Sequence, residues 1–145
     1  MLKIIAIGKN AQFLKDAENE YVSRINHFAK IEVLEIKEDK SKHSKEVMKK
    51  EAEKIKAALK GAEYIVLDMV GENTTTEQFT AILKDNKDMV FVIGGAFGLD
   101  EAIKKGAKKR ISLSKMTFTH QIARVLLLEQ IYRAQTIMNG RKYHK

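Results

Sequence analysis

The sequence predicts an α/β fold: a parallel sheet with helices on both faces, built as a single domain over residues 1–145. Apolar strand-like segments alternate with helical patterns along the whole chain. The segment 89–93 has five apolar residues in a row, which is typical of a central parallel strand buried on both faces. It runs directly into a glycine-rich loop at 94–98. Ligands of open parallel sheets bind just beyond the carboxyl ends of strands, so this loop is the first candidate site.

In the first half of the chain, strands are predicted at residues 2–8 and 31–36. Amphipathic helices follow them at 13–28 and 44–59, the second capped by Ser44 and ending near Gly61. The apolar residues that carry the helical spacing are Leu14, Ala17, Tyr21, Ile25 and Phe28 in the first helix and Met48, Ala52, Ile55 and Leu59 in the second.

In the second half, a strand is predicted at 63–68, and Thr74 and Glu77 have the spacing of a capping box that opens the next helix. The apolar strand 89–93 precedes a short helix capped by Asp100. A last short strand at 110–113 leads through a polar loop at 114–119 into a final helix at 120–138. Strand and helix therefore alternate throughout, which favours a parallel sheet.

The final helix is apolar around nearly its whole circumference, which predicts burial on more than one side and a partner subunit as the second cover. Its apolar residues are Ile122, Val125, Leu126, Leu127, Leu128, Ile131, Ile137 and Met138. Glu129 and Arg133 have the spacing of an ion pair within one helix. Arg124 has no such helical partner, so we expect it to meet an anionic ligand or an acid of a partner chain.

The charge of the chain is strongly asymmetric. The net charge is +8, yet residues 102–145 carry 11 Lys/Arg and one acid, while residues 1–101 are slightly acidic. This asymmetry favours a nucleic-acid or other polyanion partner, with a solvated lysine-rich surface as the alternative. Arg, Lys, Tyr and His in the tail 139–145 offer phosphate contacts and stacking for an unpaired base.

Several classes of site are excluded. The absence of cysteine excludes disulfides, zinc–thiolate sites and a cysteine nucleophile. No P-loop pattern and no cluster with metal-ligand spacing is present, so no metal is expected. No apolar run is long enough to span a membrane, and the N-terminal residues predict a strand rather than a leader, which fits a cytoplasmic location. What remains is a set of loops after Leu67, Ile93 and Leu113 that could bind one small ligand beside a basic face, as in a transferase that uses a soluble cofactor on RNA.

These loops and the last helix resemble one family. The resembling motifs are Leu67-Asp68-x-x-Gly71, Ile93-Gly94-Gly95-x-x-Gly98-Leu99, Leu113-Ser114-x-x-Thr117, His120-x-x-x-Arg124-Val125-Leu126-x-x-Glu129-Gln130-x-Tyr132-Arg133-Ala134 and Tyr143-His144. The sequence resembles the ribosomal RNA large subunit methyltransferase H family of the SPOUT superfamily over its whole length. The last helix with its tail is the most specific part. Members often have proline at the positions of Ala96, Thr119 and Lys142.

The resemblance implies a C-terminal trefoil knot, a homodimer, and S-adenosylmethionine as the cofactor. It also implies methylation of N3 of a pseudouridine in 23S rRNA on assembled ribosomes. Together with the glycine-rich loop, it predicts cofactor-binding residues at Leu67, Gly94, Gly95, Gly98, Leu113, Ser114, Lys115, Met116, Thr117 and Phe118.

The resemblance and the basic C-terminal third together predict the catalytic and RNA-binding residues. The catalytic residues expected are Arg124, Glu129, Tyr143 and His144, and the RNA-binding residues are His120, Arg133, Arg141, Lys142 and Lys145. Glu129, His144 or water could accept the N3 proton. Two alternatives remain: a non-catalytic ribosome-binding or RNA-binding protein with the same fold, and a SPOUT methyltransferase that acts on tRNA.

Overall fold

The computed structural model describes residues 1–145 and contains ten elements in strict strand–helix alternation, as the sequence predicts. The strands are β1 (Leu2–Ile7), β2 (Ile31–Ile36), β3 (Tyr64–Asn73), β4 (Val90–Ile93) and β5 (Lys109–Ser112). The helices are α1 (Gln12–Asn26), α2 (Ser44–Leu59), α3 (Thr76–Asp85), α4 (Glu101–Gly106) and α5 (His120–Met138).

The five strands form one parallel sheet in the order β2-β1-β4-β3-β5, which confirms the predicted architecture. The apolar strand β4 is central, with β1 and β3 hydrogen-bonded on either side. Because all strands run the same way, their carboxyl ends and the loops that follow them meet at one edge of the sheet. The trefoil knot stays a prediction.

Alternating strand residues build a separate core on each face of the sheet. Leu2 and Ile4 of β1 pack with Phe91 of β4 under α1, α3 and α5. Ile5 of β1 packs with Val92 of β4 under α2 and α4. Helices therefore cover both faces, and this double burial explains why β4 is apolar at every position.

Helix α5 finds most of its cover within its own chain. It packs on the sheet through buried Leu127, Leu128 and Ile131, and α1 and α3 flank it. The middle of the helix therefore has cover from α1 and α3 as well as from the sheet, and a partner subunit as further cover stays a prediction. Only at its first turn does a large apolar side chain, Ile122, remain exposed.

Two predicted helix caps are wrong by one residue. Helix α2 is capped by His43, whose carbonyl already accepts from Val47 N, so Ser44 lies within the first turn. In α3 the capping box joins Thr75 and Gln78, with bonds of 3.1 and 2.9 Å. The hydroxyl of Thr74 instead donates to the Glu72 carbonyl at 2.9 Å and closes the end of β3.

Strand β3 extends beyond the predicted end at residue 68, because its pairing with β5 is interrupted there and then continues to Asn73. Its pairing with β5 is regular up to Leu67, shifts register, and resumes at Glu72. The intervening residues bulge out of the ladder. Such bulges redirect side chains and are common beside functional sites.

Candidate functional site

A cavity of about 940 Å³ opens at the carboxyl ends of β3, β4 and β5. It is mostly apolar and is formed by the loops that follow these strands together with the first turn of α5. Nine of the ten predicted cofactor-binding residues line it: Leu67, Gly94, Gly95, Gly98, Leu113, Ser114, Met116, Thr117 and Phe118. Lys115 does not line the cavity and is exposed. The three loops singled out from the sequence therefore meet at one place.

The glycine loop is shaped by close backbone approach. A Cβ on Gly94 would lie 2.8 Å from the backbone carbon of Gly98 and 2.9 Å from Leu99 Cγ. Gly98 has φ +83° and donates its N–H to the Gly95 carbonyl at 3.0 Å. Only glycine fits both positions without strain, so at Gly94 and Gly98 the loop presents backbone to the cavity.

The loop after β5 is held by short hydroxyl contacts. Ser112 Oγ donates to the Ser114 carbonyl at 2.7 Å, and Ser114 Oγ accepts from Met116 N at 3.0 Å. Thr119, where the family resemblance leads us to expect proline, has φ −61° and accepts from Ile122 N at 3.3 Å as the N-cap of α5. Its φ is the value proline would impose, so the loop keeps its path and gains a cap.

Three titratable side chains line the cavity: Asp68, Lys104 and His120. Burial, and to a lesser degree the Arg124 charge, lowers the pKa of His120, while Glu38 opposes the shift. His120 is therefore neutral near pH 7 and lies in the cavity rather than on an open RNA face. Sequence reasoning missed Asp68 as a site residue, although Asp68 stands in the quoted motif beside Leu67.

A second cluster surrounds the end of the chain. The Tyr143 hydroxyl donates to Glu129 Oε1 at 3.0 Å, and its ring meets Tyr132 edge-on at 4.7 Å. The Arg133 guanidinium lies 4.7 Å from the Tyr143 ring and pairs with Glu129, as the helical spacing indicates. The tail is therefore anchored by aromatic and ionic contacts to its own α5.

His144 extends this cluster to α3. Its Nδ1 lies 3.2 Å from an Arg133 N–H, which only donates, so Nδ1 accepts and Nε2 carries the proton. The Nε2 atom lies 3.1 Å from Glu77 Oε1, to which it donates. Burial, with hydrogen bonds to Tyr21 and Glu129, raises the pKa of Tyr143 well above its ordinary value, so this phenol stays protonated.

None of the four predicted catalytic residues lines the large cavity. A smaller cavity of about 260 Å³ lies between the two regions and shares Leu113, Ser114 and Phe118 with the large one. Gln130 lines this smaller cavity and donates to Glu129 Oε2 at 3.0 Å. The large cavity and the cluster around the end of the chain are thus neighbours along α5 but separate within one chain.

The expectation that Arg124 meets a ligand or a partner-chain acid is wrong. Arg124 is 1% exposed. Its guanidinium donates to Glu35 Oε2 at 2.7 Å, Glu18 Oε1 at 3.4 Å and the Gly8 carbonyl at 2.8 Å. Its partners come from distant parts of the chain, so helical spacing alone could not reveal them. Arg124 ties α5 to the carboxyl ends of β1 and β2 rather than to a bound molecule.

The side chains predicted to bind RNA fall into two groups. Arg141, Lys142 and Lys145 are exposed. His120 lies in the cavity, and Arg133 is engaged by Glu129 and His144. Of the five predicted RNA-binding residues, the three tail cations are therefore the ones exposed to solvent.

The rim of the cavity is apolar and exposed. Seven of the eight exposed large hydrophobic residues line it: Phe13, Met69, Val70, Phe97, Met116, Phe118 and Ile122. Exposed apolar side chains grouped around one cavity are typical of ligand-binding or interaction surfaces.

No group of three or more His, Asp or Glu side chains is arranged to hold a metal ion. None of the five helices combines the length and apolar composition that crossing a bilayer would require.

The sequence matches one family profile, described as "Predicted SPOUT methyltransferase", over residues 1–144. A relative from Caldicellulosiruptor saccharolyticus is 44% identical over 154 residues and covers 100% of both chains. One from Thermodesulfovibrio yellowstonii is 43% identical over 143 residues and covers 98% of this chain and 97% of its own. Both are named Ribosomal RNA large subunit methyltransferase H.

Solved structures share the fold at low sequence identity. A tRNA methyltransferase from Aquifex aeolicus superposes with a TM-score of 0.58 at 15% identity, covering 91% of this chain and 69% of its own. The SpoU methyltransferase AviRb from Streptomyces viridochromogenes gives 0.51 at 13% identity, covering 97% and 61%. The predicted SPOUT-like α/β fold is therefore confirmed.

Proposed function

The chain belongs to the ribosomal RNA large subunit methyltransferase H family of SPOUT methyltransferases, and we propose that it methylates N3 of a pseudouridine in 23S rRNA on assembled ribosomes. In this proposal residues 1–145 form one methyltransferase domain that acts in the cytoplasm with S-adenosylmethionine as the methyl donor. The observation that carries the proposal is the convergence of nine predicted cofactor-binding residues on one cavity.

The cavity suits this cofactor in size and chemistry. Its volume of about 940 Å³ is that of a small-molecule site, and its apolar walls suit an adenine ring and a thioether chain. The glycine loop at 94–98 would bring its backbone close to the bound cofactor. Asp68 contributes a buried carboxylate oxygen without a hydrogen-bond donor, which a polar group of the cofactor could satisfy.

The cofactor supplies an electrophilic methyl group, and the chain must position the target base and accept the N3 proton. Glu129 is poorly suited to accept it, because its two oxygens already accept from Arg133, Gln130 and Tyr143. Both ring nitrogens of His144 are also engaged. His120 is neutral and lines the cavity, and we assign the proton to it, directly or through a water molecule.

We propose a homodimer in which the apolar rim of the cavity is buried against a second copy. The seven exposed hydrophobic residues of the rim support this arrangement. The exposed Arg141, Lys142 and Lys145 would contact rRNA phosphates.

Two alternatives predict different results. A non-catalytic RNA-binding protein would not need a cavity with a buried carboxylate oxygen that lacks a hydrogen-bond donor, so the cavity favours the enzyme. A tRNA methyltransferase shares the fold, but the relatives above 40% identity carry an rRNA name.

The test incubates the protein and S-adenosylmethionine with either ribosomes lacking the modification or purified tRNA, followed by nucleoside mass spectrometry. We expect N3-methylpseudouridine only from ribosomes. A methylated tRNA nucleoside with unmodified ribosomes would support the tRNA alternative. Failure to methylate either substrate, together with no calorimetric heat from S-adenosylhomocysteine, would support the non-catalytic one.

A further inference from the structure

The bulge in β3 places a carboxylate where the sheet edge meets the cavity. Residues 68–71 leave the ladder between Leu67 and Glu72. Met69 and Val70 are exposed on the rim, whereas the Asp68 side chain is only 8% exposed and lines the cavity. The bulge thus separates one buried acid from two exposed apolar neighbours.

The two oxygens of this carboxylate are in different situations. Oδ1 accepts from Val70 N at 3.3 Å, which holds the turn. Oδ2 is fully buried and receives no hydrogen bond. Its nearest cation, Lys104 Nζ, lies 3.6 Å away, beyond hydrogen-bond distance, and is shared with Glu101 at 3.7 Å. A buried carboxylate oxygen without a donor is costly, and a ligand donor would remove that cost.

We propose that Asp68 Oδ2 accepts a hydrogen bond from a ribose hydroxyl of the bound cofactor. This inference rests on the proposed function. Lys104 already offsets much of the Asp68 charge, and its own charge would repel the cofactor ammonium, so a neutral donor is favoured. A carboxylate beyond a strand end, beside a glycine-rich loop, binds ribose hydroxyls in dinucleotide-binding folds by the same chemistry.

The test is calorimetric titration with S-adenosylhomocysteine and with its 2′-deoxy and 3′-deoxy ribose analogues. Asp68→Asn keeps the shape of the side chain but replaces an acceptor with a donor. We expect it to weaken S-adenosylhomocysteine binding about ten- to a hundredfold. For the analogue that lacks the bonded hydroxyl, Asp68→Asn should change the affinity less than about threefold, because this analogue cannot form the bond even with the wild-type protein.

Matched variants separate this role from a structural one. Glu101→Gln removes the other, exposed partner of Lys104 and should leave all three affinities unchanged. Asp68→Ser keeps an acceptor for Val70 N and replaces Asp68→Asn in the titrations if that variant does not fold. It should show the same loss of affinity for S-adenosylhomocysteine relative to the analogue that lacks the bonded hydroxyl.

Two results would overturn the role of Asp68 without affecting the proposed cofactor. One is unchanged S-adenosylhomocysteine affinity in the folded variants. The other is an equal loss of affinity for all three ligands, which would mean that Asp68 only shapes the cavity. A wild-type protein that binds none of the ligands would overturn the proposed cofactor and this assignment with it.

Discussion

Replacing Arg124 with methionine should destabilise the fold strongly. Methionine keeps an apolar stem of similar length but removes the guanidinium and its three hydrogen bonds. Breaking a buried ion pair by removing one partner costs about 3–5 kcal/mol. Glu35 is 36% exposed and can regain water, whereas Glu18 is 12% exposed and cannot do so fully. We therefore expect a loss at the lower end, about 3 kcal/mol.

Thermal denaturation followed by circular dichroism measures this effect. For a chain of this size the expected loss lowers the melting temperature by about 10 °C. Lys50→Met is the matched control, because Lys50 pairs with Glu46 at 3.1 Å with both side chains about half exposed. A surface pair of this kind contributes less than about 1 kcal/mol. The double variant Arg124→Met/Glu35→Gln should lose less stability than the two single losses added together, because the partners interact.

The same change should weaken cofactor binding at temperatures where the variant is folded. Arg124 lies directly after residues 120–123, which form one wall of the cavity. Its bonds to Gly8 and Glu35 fix that wall to the ends of β1 and β2. A melting temperature within about 2 °C of the Lys50→Met control would refute the claim that this buried network anchors α5.

Three further predictions concern the site. Burial lowers the pKa of His120, so the unfolded chain binds a proton at this residue more tightly than the folded chain does. Stability should therefore fall as pH drops below about 6.5, and His120→Gln should flatten that part of the stability–pH curve. The same variant should lose methylation activity but still bind S-adenosylhomocysteine. Deleting residues 141–145 should abolish ribosome methylation and, through loss of the Tyr143 contacts, lower the melting temperature by about 5 °C; full activity would contradict this. Sedimentation of the wild type should give about twice 16.5 kDa, and replacement of the rim residues Val70 and Phe97 by serine should give monomers; a monomeric wild type would contradict the proposed dimer.

The sequence was most informative where local pattern and tertiary environment agree. A strand that is apolar at every position is typically buried on both faces, as a central parallel strand is, and β4 is central. The loops after parallel strands must share an edge, so their convergence could be predicted without knowing the strand order. The cap of α3 was misplaced by one residue because the adjacent hydroxyl residues Thr74 and Thr75 offer equivalent local spacing. The cap of α2 was misplaced because the helix begins after His43, which makes no side-chain cap bond and so leaves no capping signal in the sequence.

The misplaced and missed residues depend on contacts between distant segments. The partners of Arg124 lie 89 to 116 residues away in sequence, so nothing on its own helix reveals them. The β3 bulge follows from the register with β5, and that register determines that Asp68 is buried while Met69 and Val70 are exposed. Residue types alone show one acidic side chain followed by two apolar ones, not which of them enters a cavity.

The geometry of α5 explains why the predicted cofactor-binding residues and the tail residues do not meet within one chain. The helix lines the cavity up to Ala123, and the tail cluster begins at Glu129, six residues further on. At 1.5 Å per residue this is about 9 Å along the axis, too far for a base held at the tail cluster to reach a methyl group in the cavity. Either the tail leaves its own Glu129 when RNA binds, or the tail of a second copy reaches this cavity across the apolar rim. In the second arrangement each tail keeps its Tyr143 and His144 contacts to its own chain. It can then reach the partner's cavity only if dimerisation brings it to the apolar rim of that cavity. The rim residues and the tail residues should therefore contribute to activity together.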